Sequence, residues 1–121
     1  MSLKKRILIC DDEEGIRESL NLILSEYYEL SFAANAKEAM KHLENNPNTA
    51  LLLLDIKMPQ VDGLEALQRI KKKYSDINVL IVTGYQSAEI AREAIKQGAC
   101  GYIVKPFNRT QILKTVQEIL K

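Results

Sequence analysis

The stretch LLLLDIKMPQVDG, residues 51–63, decides the fold predicted for this chain. Its four leucines show neither a helical nor an alternating period, which indicates a strand that is buried on both faces. Pro59 and Gly63 then end the apolar pattern. Asp55 is therefore predicted to lie where a buried strand meets solvent.

Similar short apolar runs recur along the chain and alternate with amphipathic segments. The runs predict five strands, at residues 6–10, 30–34, 50–54, 79–83 and 101–105. The segments that follow them carry apolar residues at helical spacing, so five strand–helix units succeed one another. This alternation predicts a parallel sheet that helices cover on both faces.

The starts of the predicted helices carry a signal of their own. Four of them have an Asp or Asn followed three residues later by Glu or Gln, which is the reciprocal N-terminal capping pattern. The pairs are Asp11 with Glu14, Asn35 with Glu38, Asp62 with Glu65, and Asn108 with Gln111. Gly98 is expected to end the fourth helix in the left-handed conformation.

Length and charge limit the functions that the chain can have. Its 121 residues suit one domain, predicted to span residues 1–121. The 17 basic and 16 acidic residues leave a net charge of +1, too small to attract nucleic acid or anionic lipid strongly. No apolar run approaches the roughly 20 residues of a membrane span. A cytoplasmic protein that binds neither nucleic acid nor membranes directly is expected.

The two cysteines, Cys10 and Cys100, flank apolar segments. They show neither a CxxC motif nor a spacing to histidine that would suit a metal. We therefore expect both to be buried free thiols, in keeping with a reducing compartment.

Polar residues follow four of the predicted strands. In an open parallel sheet, ligands bind beyond the carboxyl ends of the strands, where the winding direction reverses. These positions hold Asp11 and Asp12 after the first strand, Asp55 after the third, Thr83 and Gly84 at the fourth, and Lys105 and Pro106 at the fifth. Taken singly, each has an ordinary alternative role in capping, a turn, a backbone hydrogen bond or solvation.

Together these residues suit one kind of chemistry. If the first and third strands are neighbours, Asp11, Asp12 and Asp55 converge, and their like charges need a cation between them. Oxygen ligands favour a hard divalent ion, above all Mg²⁺, which leaves positions open for phosphate. Lys105 and Thr83 supply an ammonium and a hydroxyl for phosphoryl oxygens, and a carboxylate can be the nucleophile. The set predicts phosphoryl transfer to an aspartate.

The sequence resembles the response-regulator receiver domain of two-component signalling over essentially its whole length. The resemblance rests on an acidic pair after the first strand, the pattern D-x-x-M-P-x-x-D-G after the third, a threonine after the fourth and K-P-F after the fifth. It implies an α/β, flavodoxin-like, doubly wound five-stranded parallel sheet of order 2-1-3-4-5 with five helices on both faces. It further implies a domain that catalyses only its own phosphorylation and dephosphorylation.

The resemblance assigns the metal and phosphoryl sites residue by residue. Asp55 is the implied phosphoacceptor. The implied Mg²⁺ ligands are Asp11, Asp12, Asp55 and the backbone carbonyl of Lys57. Lys105 is expected to pair with the phosphoryl group, and its bond to Pro106 is expected to be cis.

Switching is assigned in the same way. Thr83 is the implied switch hydroxyl and Tyr102 the aromatic switch residue, reporting phosphorylation to the surface of the fourth helix, fifth strand and fifth helix. The alternative for Tyr102 is a half-buried strand tyrosine with a hydrated hydroxyl. Gly84, where the family commonly has alanine or serine, predicts a more mobile loop.

The implied partners are a sensor histidine kinase or a histidine phosphotransfer protein, and a downstream output domain or effector. A phosphorylation-dependent homodimer is a further option. The segments DDEEGIRESL and DIKMP, with Lys57, look most like single-domain intermediates of phosphorelays such as the one controlling sporulation. The chain is then either a stand-alone receiver or a part of a longer regulator.

Three other functions fit these residues less well. An FMN carrier of flavodoxin type needs a phosphate-cradling first loop, whereas DDEEG repels phosphate without a metal. A dehalogenase-type phosphatase places its nucleophile after the first strand and a second aspartate two residues later, whereas Asp55 follows the third and Lys57 stands two residues on. The third, a receiver-like module that no longer uses phosphate, is opposed by the intact set of site residues.

Overall fold

Strands and helices alternate along the part of the chain that the computed structural model describes, residues 3–58 and 62–121. The elements are β1 (Arg6–Cys10), α1 (Glu14–Leu24), β2 (Glu29–Ala33), α2 (Ala36–Asn45), β3 (Leu51–Leu54), α3 (Gly63–Lys73), β4 (Asn78–Thr83), α4 (Ala88–Lys96), β5 (Gly101–Val104) and α5 (Arg109–Ile119). The five predicted units are confirmed. Pro59, expected to end the pattern after the third strand, lies outside the described residues.

The five strands form one parallel sheet in the order β2-β1-β3-β4-β5. The doubly wound fold predicted for the chain is confirmed. Cys10, the last residue of β1, pairs with Ala33 of β2 on one side and with Leu54 of β3 on the other. The winding direction reverses between β1 and β3, so the residues that follow Cys10 and Leu54 share one crevice.

The leucines of β3 face two separate apolar cores. Leu51 and Leu53 pack with residues of α1 and α5 on one face of the sheet. Leu52 and Leu54 pack with residues of α2, α3 and α4 on the other face. All four are buried, which explains why the run shows no polar alternation.

Side-chain caps are found at three of the four predicted helix starts. Asn35, Asp62 and Asn108 each accept a hydrogen bond from the backbone N–H three residues later. In a capping box, the side chain three residues after the cap also accepts a hydrogen bond from the backbone N–H of the cap residue. Among the described residues only α2 has a similar bond, in which Glu38 accepts from the backbone N–H of Ala34, the residue before the cap, at 3.0 Å. Sequence predicted the cap residue well and its reciprocal partner less well.

The predicted pair of Asp11 with Glu14 is wrong. Glu13 is the N-cap residue of α1 and makes no side-chain cap bond. Asp11 Oδ1 instead accepts from the backbone N–H of Glu13 at 2.9 Å, in a local turn ahead of the helix. The Asp11 carboxylate is thereby held at the end of β1.

Gly98 and Ser87 mark the two ends of α4. Gly98 has a φ of 109°, which confirms the predicted left-handed stop after α4. The start of α4, for which no cap was predicted, is capped by Ser87, whose hydroxyl accepts from the Ile90 N–H at 3.3 Å. Across the described residues, no helix is both long and apolar enough to cross a membrane.

The prediction of buried free thiols holds for one cysteine only. Cys10 is buried and free, as expected. Cys100 is free but exposed, because it lies in the turn between Gly98 and β5 rather than inside the strand. Its thiol is partly covered and donates to the Val79 carbonyl at 3.2 Å.

Gly63 brings α3 against the loop that carries Asp55. It is the first residue of the helix and is buried. A Cβ at this position would overlap the Cα and the carbonyl oxygen of Ile56. Only glycine therefore lets the helix approach the residue that directly follows Asp55.

We expect Gly63→Ala to lower the free energy of unfolding by about 1–3 kcal/mol, because the added methyl group must push Ile56 away. Gly15, in the first turn of α1, is the matched control, since a Cβ there meets nothing within 4 Å. Gly15→Ala should leave the free energy of unfolding unchanged or raise it by up to about 1 kcal/mol. Urea denaturation measures both. Equal stability of the two variants would contradict the close approach.

Candidate functional site

Four strand ends bring their polar residues into one crevice. Asp11 follows β1, Asp55 follows β3, Thr83 ends β4 and Lys105 follows β5. Asp11 and Asp55 are each 2% exposed and Thr83 is fully buried. The side chain of Lys105 is 12% exposed. The structure thus places these four predicted residues together, as the position of the winding reversal requires.

The Lys105 ammonium lies between the acids. Its Nζ is 2.8 Å from Asp11 Oδ2, 3.2 Å from Asp55 Oδ2 and 3.5 Å from Glu13 Oε1. Burial by itself lowers the pKa of Lys105, but the hydrogen bonds and charges of Asp11 and Asp55 outweigh it and raise that pKa above its ordinary value. The Lys105–Pro106 peptide bond is cis, as the resemblance implied.

Asp55 is held at three atoms. Its backbone N–H donates to the Cys10 carbonyl at 3.0 Å, which continues the pairing of β1 with β3. Its Oδ1 accepts from the Lys57 N–H at 2.8 Å, and its Oδ2 faces the Lys105 ammonium. The carboxylate is therefore fixed in orientation before any ligand arrives.

Burial changes the pKa of Asp11. Loss of hydration on burial raises the pKa of Asp11 above its usual range, and the charge of Asp55 adds to this rise. The hydrogen bonds from Lys105 and from the Glu13 N–H, together with the positive charge of Lys105, lower the pKa but do not cancel the rise. The Arg17 guanidinium donates to the Asp11 carbonyl at 2.7 Å and so anchors the backbone of this residue. Arg17 was not among the predicted site residues.

The carboxylates form an oxygen-only cluster. Asp11, Asp12, Glu13 and Asp55 each present an oxygen, and these oxygens all lie within 4.8 Å of one another. Asp12 and Glu13 are exposed, whereas the other two acids are buried. Such a donor set, with one side open to water, fits a hard divalent cation that keeps several waters. Sequence reasoning placed Glu13 in the acidic loop but did not predict it as a ligand.

The Thr83 hydroxyl is buried and, within the described residues, has no hydrogen-bond partner. Its backbone carbonyl accepts from the Lys105 N–H at 2.8 Å, so β4 and β5 hold the two residues beside each other. A buried hydroxyl without a partner is costly. This one is available to bond an oxygen atom that enters the crevice.

Tyr102 lies half-buried on β5, against the core that α2, α3 and α4 cover. Its hydroxyl donates to the backbone carbonyl of Tyr85 at 2.9 Å. Burial raises the pKa of Tyr102, and the charge of Asp55 and the neighbouring Tyr85 add to the rise. Tyr85, two residues after Thr83, was missed by sequence reasoning, although its ring also lies 5.3 Å from the Lys57 ammonium.

Known proteins match this chain along almost its entire length. The family model of the response regulator receiver domain matches residues 7–117. The chemotaxis protein CheY of Halobacterium salinarum is 34% identical over 120 residues, which cover 98% of this chain and 98% of that protein. The sporulation initiation phosphotransferase F of Bacillus subtilis is 35% identical over 119 residues, which cover 98% of this chain and 95% of that protein.

A solved structure shows the same architecture. The CheY-like receiver domain protein of Methanospirillum hungatei superposes with a TM-score of 0.91 at 39% identity, covering 98% of this chain and 94% of that one. Other curated relatives are longer: the chain spans 26% of the regulatory protein AtoC of Escherichia coli and 25% of an NtrX-like putative response regulator of Rickettsia bellii. On sheet order, site residues and these matches, the chain belongs to the response regulator receiver domain family.

Proposed function

We propose that Asp55 is the residue on which this receiver domain of two-component signalling accepts a phosphoryl group. The observation that carries the proposal is the position of the Lys105 ammonium, 3.2 Å from Asp55 Oδ2 and 2.8 Å from Asp11 Oδ2. A cation and a second acid beside a fixed, buried carboxylate suit a nucleophile that receives a negatively charged group.

The transfer uses the orientation of Asp55. A carboxylate oxygen attacks the phosphorus of a phosphohistidine, the phosphorus–nitrogen bond breaks, and the nitrogen of the donor imidazole keeps the electron pair. The Lys57 N–H, 2.8 Å from Asp55 Oδ1, holds the carboxylate during this approach. Lys105 then pairs with a phosphoryl oxygen, so its positive charge offsets the charge that Asp55 has gained.

Asp11, Asp12 and Asp55 would hold Mg²⁺, with the backbone carbonyl of Lys57 as a further ligand and Glu13 close enough to contribute. When bound, the ion neutralises the charge of the acids and of the phosphoryl oxygens. Mg²⁺ is proposed because the cluster offers carboxylate oxygens within 4.8 Å of one another and is open to water at Asp12 and Glu13.

Thr83 and Tyr102 are the proposed switch residues. The Thr83 hydroxyl, without a partner among the described residues, donates to a phosphoryl oxygen once Asp55 carries the group. Tyr102 responds because its hydroxyl bonds the carbonyl of Tyr85, which lies two residues after Thr83. The readout is the surface formed by α4, β5 and α5, where Ile95 is 49% exposed.

The partners follow from this chemistry. The phosphodonor is a sensor histidine kinase or a histidine phosphotransfer protein, and a downstream output domain or effector reads the α4, β5 and α5 surface. We propose that residues 1–121 act as one receiver unit in the cytoplasm, without direct contact with nucleic acid or membranes. The unit also catalyses the slow hydrolysis of its own phosphoryl group, and phosphorylation-dependent homodimerisation through the same surface is the further option.

With Mg²⁺ and acetyl phosphate, the unmutated protein should gain the mass of one phosphoryl group, in a form that is stable to acid and labile to base. Asp55→Asn should gain none, because its amide is not a nucleophile. Asp62→Asn is the matched control, since Asp62 is an exposed acid that only caps α3. Intact-mass spectrometry measures all three. If Asp55→Asn gains the group as the control does, Asp55 is not the acceptor; if no protein gains it, the phosphate-independent module becomes the better account.

Thr83→Val should raise the free energy of unfolding by about 1 kcal/mol, because at nearly constant volume it removes a buried hydroxyl that no described residue bonds. Thr49→Val is the control, since Thr49 is also buried but its hydroxyl donates to the Asn46 carbonyl at 2.8 Å. That change should lower the free energy of unfolding by about 1 kcal/mol. Urea denaturation without Mg²⁺ measures both, and a loss of stability in Thr83→Val would show that its hydroxyl is already bonded.

A further inference from the structure

We infer that the Lys57 side chain is a positioning residue that connects Asp55 to Tyr102 through Tyr85, by a route that bypasses the Thr83 hydroxyl. The inference rests on the proposed function, because it adds to the proposed switch a second route from Asp55 to Tyr102. The route consists of three contacts in series, each of which joins neighbouring segments at the carboxyl ends of β3, β4 and β5.

The first contact ties the backbone of Lys57 to the Asp55 carboxylate. The Lys57 N–H donates to Asp55 Oδ1 at 2.8 Å. A phosphoryl group converts this charged carboxylate into an acyl phosphate, whose oxygen on carbon is a weaker acceptor than a carboxylate oxygen. The position of the Lys57 backbone is therefore sensitive to the state of Asp55.

The second contact joins Lys57 to the loop between β4 and α4, residues 84–87. The Lys57 side chain crosses Gly84, where an added Cβ would lie 3.7 Å from Lys57 Cδ and 4.0 Å from Nζ. The ammonium then lies 5.3 Å from the centre of the Tyr85 ring, within the range of a cation–π interaction. Because both groups are exposed, the contact is of the weaker, surface type.

The third contact joins the same loop to β5. The Tyr102 hydroxyl donates to the Tyr85 carbonyl at 2.9 Å. Tyr85 is thus held by Lys57 at its ring and by Tyr102 at its backbone. A shift of Tyr85 either takes Tyr102 with it or breaks this hydrogen bond.

Thr83 takes no part in these contacts. Its hydroxyl makes no hydrogen bond to any described residue. The signal that Thr83 sends requires its hydroxyl to reach the phosphoryl group, whereas Lys57 is already in contact with both Asp55 and Tyr85. The two routes are therefore separable by mutation.

The first measurement tests the contact without any phosphorylation. In proton NMR spectra of the Mg²⁺-free protein, the ring of Tyr85 should shift the ε-methylene signals of Lys57 upfield, and Tyr85→Leu should abolish that shift. Lys73, the last residue of α3, is the internal control, because its ammonium lies 5.6 Å from the ring of Tyr74, the C-cap of that helix. Its signals should be the same in both proteins. A Lys57 signal at the position of a solvated lysine in the unmutated protein would overturn the inference.

The second measurement tests the route. Beryllium fluoride with Mg²⁺ serves as a phosphoryl mimic at Asp55, and the ring signals of Tyr102 report the switched population. Thr83→Val should retain part of the response of the unmutated protein. If the route carries the signal, the contact holds Tyr85 more firmly in the switched state, so adding Lys57→Met should lower the ratio of switched to unswitched protein by a further factor of about two to five, which corresponds to the energy of one exposed cation–π contact. Lys57→Arg in the Thr83→Val background should keep the response, since arginine also binds an aromatic face.

The outcomes separate the two claims. If the unmutated protein does not respond to the mimic, the proposed function fails, and the NMR shift of Lys57 alone decides whether the contact exists. If it responds but Thr83→Val does not, or if Lys57→Met changes nothing in that background, the second route is overturned. A partial response that Lys57→Met lowers and Lys57→Arg keeps establishes Lys57 as the positioning residue.

Discussion

The Lys105 ammonium allows Asp11 and Asp55 to lie buried side by side, and the site is built around this arrangement. Two carboxylates this close repel each other strongly away from water unless a positive charge compensates. The sheet order supplies the solution, since β1 and β3 bring the acids together and β5 brings the lysine. Any ligand that displaces Lys105 from the acids must itself bring positive charge, and for this reason the proposed divalent cation and phosphoryl group would act together there.

The apolar framework fixes where these charges stand. Leu51 to Leu54 are buried from both sides, so the backbone that ends at Asp55 has little freedom to move. Gly63 adds a second constraint, because α3 packs directly onto the backbone of Ile56. The proposed phosphoacceptor therefore projects from a rigid strand, while the groups proposed to respond to it, at Thr83 and Tyr85, lie at the edge of a loop.

Sequence alone predicted the strands to within one residue at each end and most of the polar residues that the structure brings together in the crevice, because buried strands and their polar ends leave strong local patterns. It failed where side-chain direction depends on tertiary contacts. Asp11 was predicted to cap α1, but its side chain forms a turn before the helix, because the helix starts at Glu14 and its N-cap is Glu13. Cys100 was predicted to be buried because it adjoins an apolar run, yet the turn exposes it. The stacking of Lys57 on Tyr85 joins residues distant in sequence and has no local signature.

The surroundings of Cys10 have a consequence for redox chemistry. Burial, with the charges of Asp11 and Asp55, raises the pKa of its thiol to about 12. Oxidants and electrophiles attack the thiolate, so a buried thiol that keeps its proton at neutral pH reacts slowly with both. Partial burial also raises the pKa of Cys100, the only other cysteine in the chain. The acidic residues that form this crevice thus also protect the adjacent sulfur of Cys10 from reagents that act on thiolates.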